Sequence, residues 1–341
     1  MIQLKQILFT KTRTAEYVCF GEMDTDKLGE NEVLVKSFFT TISTGTEKAN
    51  ILGVENVGPK EKIARFPRGL GYNCAGEVVK VGANVKKVAV GDRVVVYWSW
   101  HKNYNIVNES RVVKIDHENV LYQDAALSFI ATFPLAAIRK VRLEMGESLM
   151  VMGLGLLGQL AIKLARAAGA CPIIACDPIQ ERRQEALRNG ADYAFDPFDE
   201  NFINQVKEVT NGGVNTAIEV TGVGAGLDET LDCMAKFGRV ALLGCTRSSD
   251  FSIDYYKKVH CPGITLVGAH TNARAETESS YGNWTHEDDI KAVLNLCAKG
   301  RISLRDLVVE THSPKDCAAV YQRLIDDKNF PVGVQFDWQT E

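Results

Sequence analysis

Along the chain the apolar positions change their period. Over the first 118 residues they largely alternate with polar ones, as in VLVKSFFTTIS (33–43), GEVVKVGANV (76–85) and DRVVVYW (92–98), runs rich in β-branched residues and bounded by Gly, Asn or Asp. Alternation with a period of two lets one face of each run meet a core, so this part predicts short strands and turns. The opening MIQLKQILFTKTRTAEYVCF has the same pattern. Near Asp124 the chain becomes AALSFIATFPLAAIRKV, apolar all round, which predicts a buried helix.

Strand-like and helix-like segments then take turns. ESLMVMG, PIIACD, YAFD and NTAIEVTG read as strands, separated by LLGQLAIKLARAAG, ERRQEALRNG and FINQVKEVT, which read as helices. A helix over LDETLDCMAKFG and strands RVALLG and ITLVGAH follow. Such alternation predicts a doubly wound parallel sheet. Further on, a helix opens at Thr285, with Asp288 completing a near capping box, and stops at Gly300. A second helix, PKDCAAVYQRLIDD, leads to a closing strand, VGVQFDW, expected to rejoin the N-terminal β region. The class is therefore α/β: a Rossmann domain over 119–265, and a discontinuous, mainly β catalytic domain over 1–118 and 266–341.

Composition narrows the function. A chain of 341 residues suits two domains of about 150 residues each. Its net charge of −4 and scattered basic residues give no field for a phosphate backbone, so nucleic acid is excluded as a partner. Neither a signal peptide nor an apolar run of roughly 20 residues is present, which sets aside the membrane and points to the cytoplasm. Nine cysteines without a CxxC pair, most of them in apolar runs, predict reduced, buried thiols rather than disulfides or a metal cluster.

The sharpest chemical signal is GLGLLG, which follows one predicted strand and opens a helix. Gly153 would make the tight turn and Gly155 would let the backbone approach a pyrophosphate. Gly158 would let helix and strand pack, while the N–H groups of Leu156 and Leu157 in the first helical turn face the phosphates. Asp177, at the end of the next strand, would accept hydrogen bonds from the adenosine ribose and repel a 2′-phosphate, which favours NAD over NADP. Arg182 would cover the adenine face. Thr221, Gly244, Cys245, Gly268 and Ala269, all at strand ends, would line the nicotinamide side.

Seven motifs stand in order along the chain: ISTGTE (42–47), FPRGLGYNCAGEVVKVG (66–82), VGDRVVV (90–96), GESLMVMGLGLLGQLAIKLARAAGA (146–170), IEVTG (218–222), GRVALLG (238–244) and LVGAH (266–270). In these the chain resembles the medium-chain dehydrogenase/reductase superfamily, in its polyol and alcohol dehydrogenase branch. The resemblance implies a GroES-like fold for the β part. It also brings a contrast, because alcohol-type members hold a catalytic zinc with Cys, His and a later Cys or Glu. At those places this chain has Thr44, Tyr72 and Phe129, and the cysteine-rich lobe of a structural zinc is missing from 92–113. Zinc takes thiolate, imidazole or carboxylate, so neither metal is expected.

Without zinc a side chain must take the proton. The resemblance puts Tyr72 where the substrate hydroxyl belongs, His270 beside the nicotinamide, and His101 near the pocket aromatic Trp98. Thr46 and Glu47 stand where relatives place a relay hydroxyl and an Asp. Asn73, Trp98, Trp100 and Trp284 are read as contacts to a sugar ring, whereas His312 is read as a helix anchor. The expected activity is a zinc-independent, NAD-dependent transfer of hydride between nicotinamide and a secondary alcohol or ketone of a sugar, polyol or glycoside. Reduction of activated C=C bonds or quinones, and a non-catalytic NAD-binding regulator, are the alternatives. A homodimer or homotetramer, paired at the sheet edge near Pro262–Val267, is the expected assembly.

Overall fold

The computed structural model describes residues 1–54 and 65–341. Its chain packs as two units, whose described residues are 1–54, 65–130 and 290–341 in one and 131–289 in the other. The sequence reading put those boundaries after 118 and 265.

The first unit begins with a hairpin, β1 (Ile2–Lys11) and β2 (Thr14–Met23), then β3 (Glu32–Thr41) and helix α1 (Thr44–Ile51). Next come β4 (Arg68–Gly69), β5 (Asn73–Val81), β6 (Arg93–Tyr97), β7 (Tyr104–Asn108), β8 (Val112–Lys114) and α2 (Tyr122–Lys140), whose residues from 131 on belong to the second unit. In the second unit β9 (Leu149–Met152), α3 (Leu156–Ala168), β10 (Ile173–Cys176), α4 (Gln180–Arg188), β11 (Tyr193–Phe195), α5 (Phe202–Val209), β12 (Val214–Glu219), α6 (Gly224–Asp232), β13 (Met234–Leu242) and β14 (Thr265–Gly268) alternate. The chain closes with α7 (His286–Ala298), β15 (Val308–His312), α8 (Cys317–Asp326) and β16 (Gly333–Asp337).

As the alternating pattern predicts, the first unit is mainly β. A sheet in the order β15-β16-β3-β5-β6-β8, with β7 also on β3, stands beside the three-stranded β2-β1-β4. The last strand does rejoin it: β16 lies antiparallel to β3, with Phe336 opposite Thr40. Val33, Val35, Val94 and Val96 point into one core, and Phe9, Ile42, Tyr321, Phe336 and Trp338 fill another. The second unit is a six-stranded parallel sheet in the order β11-β10-β9-β12-β13-β14. Strand order reverses between β9 and β12, and in a doubly wound sheet the crevice at that reversal, outside the carboxyl ends of the strands, is the ligand site.

One predicted element is corrected. The helix read over LDETLDCMAKFG ends at Asp232, and Met234 already belongs to β13, opposite Val214 on β12. Phe237 takes a left-handed φ of 63°, and the resulting irregularity returns the strand to register at Arg239. The thiols also divide. Cys74, Cys176, Cys233 and Cys317 are buried as expected, but Cys19, Cys171, Cys245 and Cys261 are exposed. No helix among the described residues is long and apolar enough to cross a membrane.

At the first turn of α2, buried Asp124 accepts the N–H groups of Leu304 and Arg305 at 2.8 Å each, and the Arg305 guanidinium at 3.1 Å. Replacing it with Ala leaves those amides without an acceptor, a cost of about 1–3 kcal/mol. Chemical denaturation of Asp124→Ala should show a lower midpoint. An unchanged midpoint would mean that water takes over both amides.

Candidate functional site

In the second unit the glycine loop has the geometry its sequence demands. Gly153 has a φ of 99°, open to glycine at little cost, and a Cβ on Gly158 would collide with the Gly153 carbonyl oxygen. Gly155 is the N-cap of α3, supplies no side-chain cap, and a Cβ there would meet nothing within 4 Å. The first-turn N–H groups of a helix have no intrahelical acceptor. The N–H groups of Leu156, Leu157 and Gly158 thus have no acceptor within the helix, and with the positive end of the helix dipole they make a cradle suited to an anion. Asp177 directly follows the neighbouring strand. Its carboxylate accepts Leu154 N–H at 2.8 Å and Ile179 N–H at 2.9 Å, and Arg182 stands 3.7 Å away. The carboxylate thus stays beside the loop, with lone pairs to spare for ribose hydroxyls.

In the first unit an aromatic group takes the place that resemblance gives to a metal. Tyr72 leads into β5, with its ring centroid 5.9 Å from Phe129 on α2 and 6.0 Å from Trp98 beyond β6. Trp98 and Phe129 meet edge to face at 5.1 Å. The backbone of Trp98 has a φ of 55°, an unusual conformation for a bulky residue, held by Trp98 N–H to the Tyr72 carbonyl at 2.8 Å. The Tyr72 hydroxyl donates to Ser43 Oγ in a short bond. Hydroxyl, phenol and phenyl at Thr44, Tyr72 and Phe129 do not fit zinc. Among the described residues, no group of three or more His, Cys, Asp or Glu side chains is gathered as a metal site.

Behind Ser43 lies a sealed polar cluster. Glu47, in the first turn of α1, is fully buried and accepts Ser43 N–H at 2.9 Å and the Tyr321 hydroxyl in a short bond. His101 is also fully buried, with Nε2 at 3.2 and 3.3 Å from the two Glu47 oxygens and Nδ1 at 2.7 Å from Thr40 Oγ1. Trp338 Nε1–H donates to the same threonine hydroxyl. Burial, reinforced by the Glu47 charge, pushes the Tyr321 phenol well above its usual range, so it remains a donor.

The other predicted residues are spread more widely. Asn73 uses both ends of its buried amide on the Thr41 backbone, at 2.8 and 3.0 Å, which is a strand-pairing role. Thr46 sits half-buried on α1. His270 follows β14 in the second unit; it is exposed, and its Nδ1 accepts Asn272 N–H at 3.2 Å. Thr221 and the Gly244–Cys245 pair lie at the ends of β12 and β13, and Gly268–Ala269 at the end of β14. One face of Trp284 is covered by Arg139, whose guanidinium carbon is 3.6 Å from the ring centroid, while exposed Trp100 carries Lys102 4.5 Å above it. His312 pairs with Glu310 at 2.8 Å. Sequence reasoning missed Ser43 and Tyr321. Ser43 adjoins the TGTE residues it had singled out, whereas Tyr321 is hidden in an apolar helix stripe.

Residues 29–132 match the alcohol dehydrogenase GroES-like domain family, and residues 157–287 the zinc-binding dehydrogenase family. L-threonine 3-dehydrogenase of Pyrococcus abyssi is 30% identical over 296 residues, covering 77% of this chain and 82% of that protein. D-guloside 3-dehydrogenase of Escherichia coli K12 is 24% identical over 356 aligned residues, covering 98% and 100%. The fold is shared with a short chain alcohol dehydrogenase of Escherichia coli CFT073 in complex with NADH, at a TM-score of 0.83 and 17% identity over 99% of this chain and 100% of that one.

Removing the Glu47 carboxylate would strand three buried donors at once. Glu47→Ala is expected to destabilise the protein by about 3–5 kcal/mol, the cost of breaking a buried charged network from one side. Urea unfolding followed by circular dichroism checks this. A loss no larger than that of an ordinary surface substitution would show that the cluster is not held by Glu47.

Proposed function

The chain is an oxidoreductase of the medium-chain dehydrogenase/reductase superfamily, and on that footing we propose that it moves a hydride between NAD and a secondary alcohol or ketone of a sugar, polyol or glycoside without a catalytic zinc. The observation that carries this reading is the Tyr72 phenol. The resemblance gives it the place of a metal ligand, and it is bonded to Ser43 and walled by Trp98 and Phe129. NAD is supported by the GLGLLG cradle and by Asp177, whose charge disfavours a 2′-phosphate. A glycoside or polyol is supported by the similarity to D-guloside 3-dehydrogenase and by the flat aromatic walls.

The GLGLLG cradle and Asp177 would hold NAD, which when bound would supply the hydride chemistry for the carbinol carbon. The chain's own task is the proton. During reduction Tyr72 acts as general acid, giving its phenolic proton to the substrate oxygen, and during oxidation the phenolate left by that step takes the hydroxyl proton back as general base. Ser43 receives the phenol's hydrogen bond in the resting state and, by turning its hydroxyl, donates to the phenolate when Tyr72 gives its proton up. Charge developing on that oxygen is then met by a donor already in place. Glu47 fixes Ser43 through the backbone N–H, so this donor keeps its position. His101 is enclosed between Thr40 and Glu47 and supports the arrangement from behind.

Purified protein is expected to reduce NAD with at least one sugar, polyol or glycoside. Tyr72→Phe should lower kcat by about 10²-fold to 10⁴-fold with NAD affinity nearly unchanged, the usual share of general acid–base catalysis. His270→Ala is the comparison. If it carries that loss and Tyr72→Phe does not, the base is the histidine.

The donor set predicts in addition that chelators leave turnover intact and that protein purified without added metal contains no stoichiometric zinc. Elemental analysis finding one tightly held zinc per chain would overturn the metal-free reading.

A further inference from the structure

Where strand order reverses, β12 ends in Glu219, a carboxylate the mechanism above does not use. It is buried, and among the described residues it has no ion-pair partner. Its position is set by register: Glu219 lies opposite Met152, the residue before Gly153, on one side and opposite Leu242 on the other. The glycine turn and the loop after β13 therefore both start beside it.

Both loops that follow β12 and β13 are tied to this residue. The Glu219 carbonyl accepts Leu243 N–H at 2.9 Å and Gly244 N–H at 2.8 Å, which fixes the loop after β13. The carboxylate accepts Thr221 N–H at 2.7 Å, Gly222 N–H at 3.1 Å and, in a short bond, the Thr221 hydroxyl, which fixes the loop after β12. Thr221 Oγ1 in turn accepts Val223 N–H at 3.0 Å, just before α6. The two loops touch, since a Cβ on Gly222 would strike the Cys245 backbone, and Thr221 packs against Gly153.

The sheet order decides which half of a dinucleotide these loops serve. Asp177 directly follows β10, on one side of β9, and on the dinucleotide reading takes the adenosine ribose. With the pyrophosphate at the start of α3, the remaining half must extend over the ends of β12 and β13, on the other side. We infer that Glu219 is a positioning residue for the nicotinamide half of the site, its carboxylate holding the Thr221–Gly222 loop, and through that loop the touching Cys245 backbone, in the shape that half requires. This rests on the dinucleotide reading above. The glycine turn keeps its own supports, Gly153 N–H to the Cys176 carbonyl and Leu154 N–H to Asp177, so the ADP-ribose half does not depend on Glu219.

Titration calorimetry of the whole protein with NAD and with ADP-ribose tests the inference. Glu219→Ala should weaken NAD by about tenfold or more and ADP-ribose by no more than about twofold, because the Thr221 and Gly222 N–H groups and the Thr221 hydroxyl lose their acceptor only on the nicotinamide side. Glu219→Gln should stay within about threefold of wild type for NAD, since one amide oxygen can still accept the bonds that Oε1 now takes. Thr221→Val, which deletes a single hydroxyl, should show the same split at about threefold and serves if Glu219→Ala does not fold. Equal losses for the two ligands, or no loss of NAD affinity in either Glu219→Ala or Thr221→Val, would overturn the assignment. A wild-type protein that binds neither ligand sinks the dinucleotide reading, and this inference with it.

Discussion

Enclosing a carboxylate costs several kcal/mol unless donors replace the water it loses. Glu47 is wholly enclosed, and its donors come from segments far apart in the chain: Ser43 just before α1, His101 between β6 and β7, and Tyr321 on α8. Each has to reach the carboxylate for the others to be worth burying. The helix that carries Glu47 is thereby pinned to the closing elements of the unit. Ser43, and through it the Tyr72 hydroxyl, inherits that fixed position.

The same device recurs. Asp177 meets Leu154 and Ile179 N–H, Glu219 meets Thr221 and Gly222 N–H, and Asp124 meets Leu304 and Arg305 N–H. In each case a buried acid is answered by backbone amides. Charge-assisted bonds of this kind are roughly twice as strong as neutral ones, and backbone donors cannot swing away as a lysine can. Loops that would otherwise be the softest parts of the fold are therefore held at fixed shape next to the glycine cradle and next to Tyr72.

How far the sequence could be read depended on how local the signal was. Strand periods and the GLGLLG–Asp177 pattern need only a few neighbouring residues, and both sheets follow from them. MAKFG misled because its composition suits a helix, while the pairing of Met234 with Val214, a long-range contact, makes it strand. The GYN motif singled out Tyr72 as a candidate, but not its hydrogen-bond partner Ser43, because which hydroxyl a phenol meets depends on tertiary packing. His101 was read as a candidate proton carrier, and its full burial against Thr40 and Glu47 could not be read from neighbouring residues. Glu219 stood in plain view in IEVTG. Nothing in that string says that its side chain turns back onto the two amides that follow.

The tryptophans are shared unequally between the two units. Trp98, Trp100 and Trp338 belong to the first, in three distinct settings: against Phe129, exposed beneath Lys102, and fully buried with Nε1 on Thr40. Trp284 alone belongs to the second, stacked under an Arg139 guanidinium that is itself anchored to buried Asp289 at 2.9 Å. An indole pressed against a cation emits differently from one released into water. Loss of the second unit's packing therefore has a single tryptophan reporter, and Trp284→Phe would remove that unit's tryptophan emission while leaving the other three tryptophans in place. The molecule carries its own optical label for telling which of its two units lets go first.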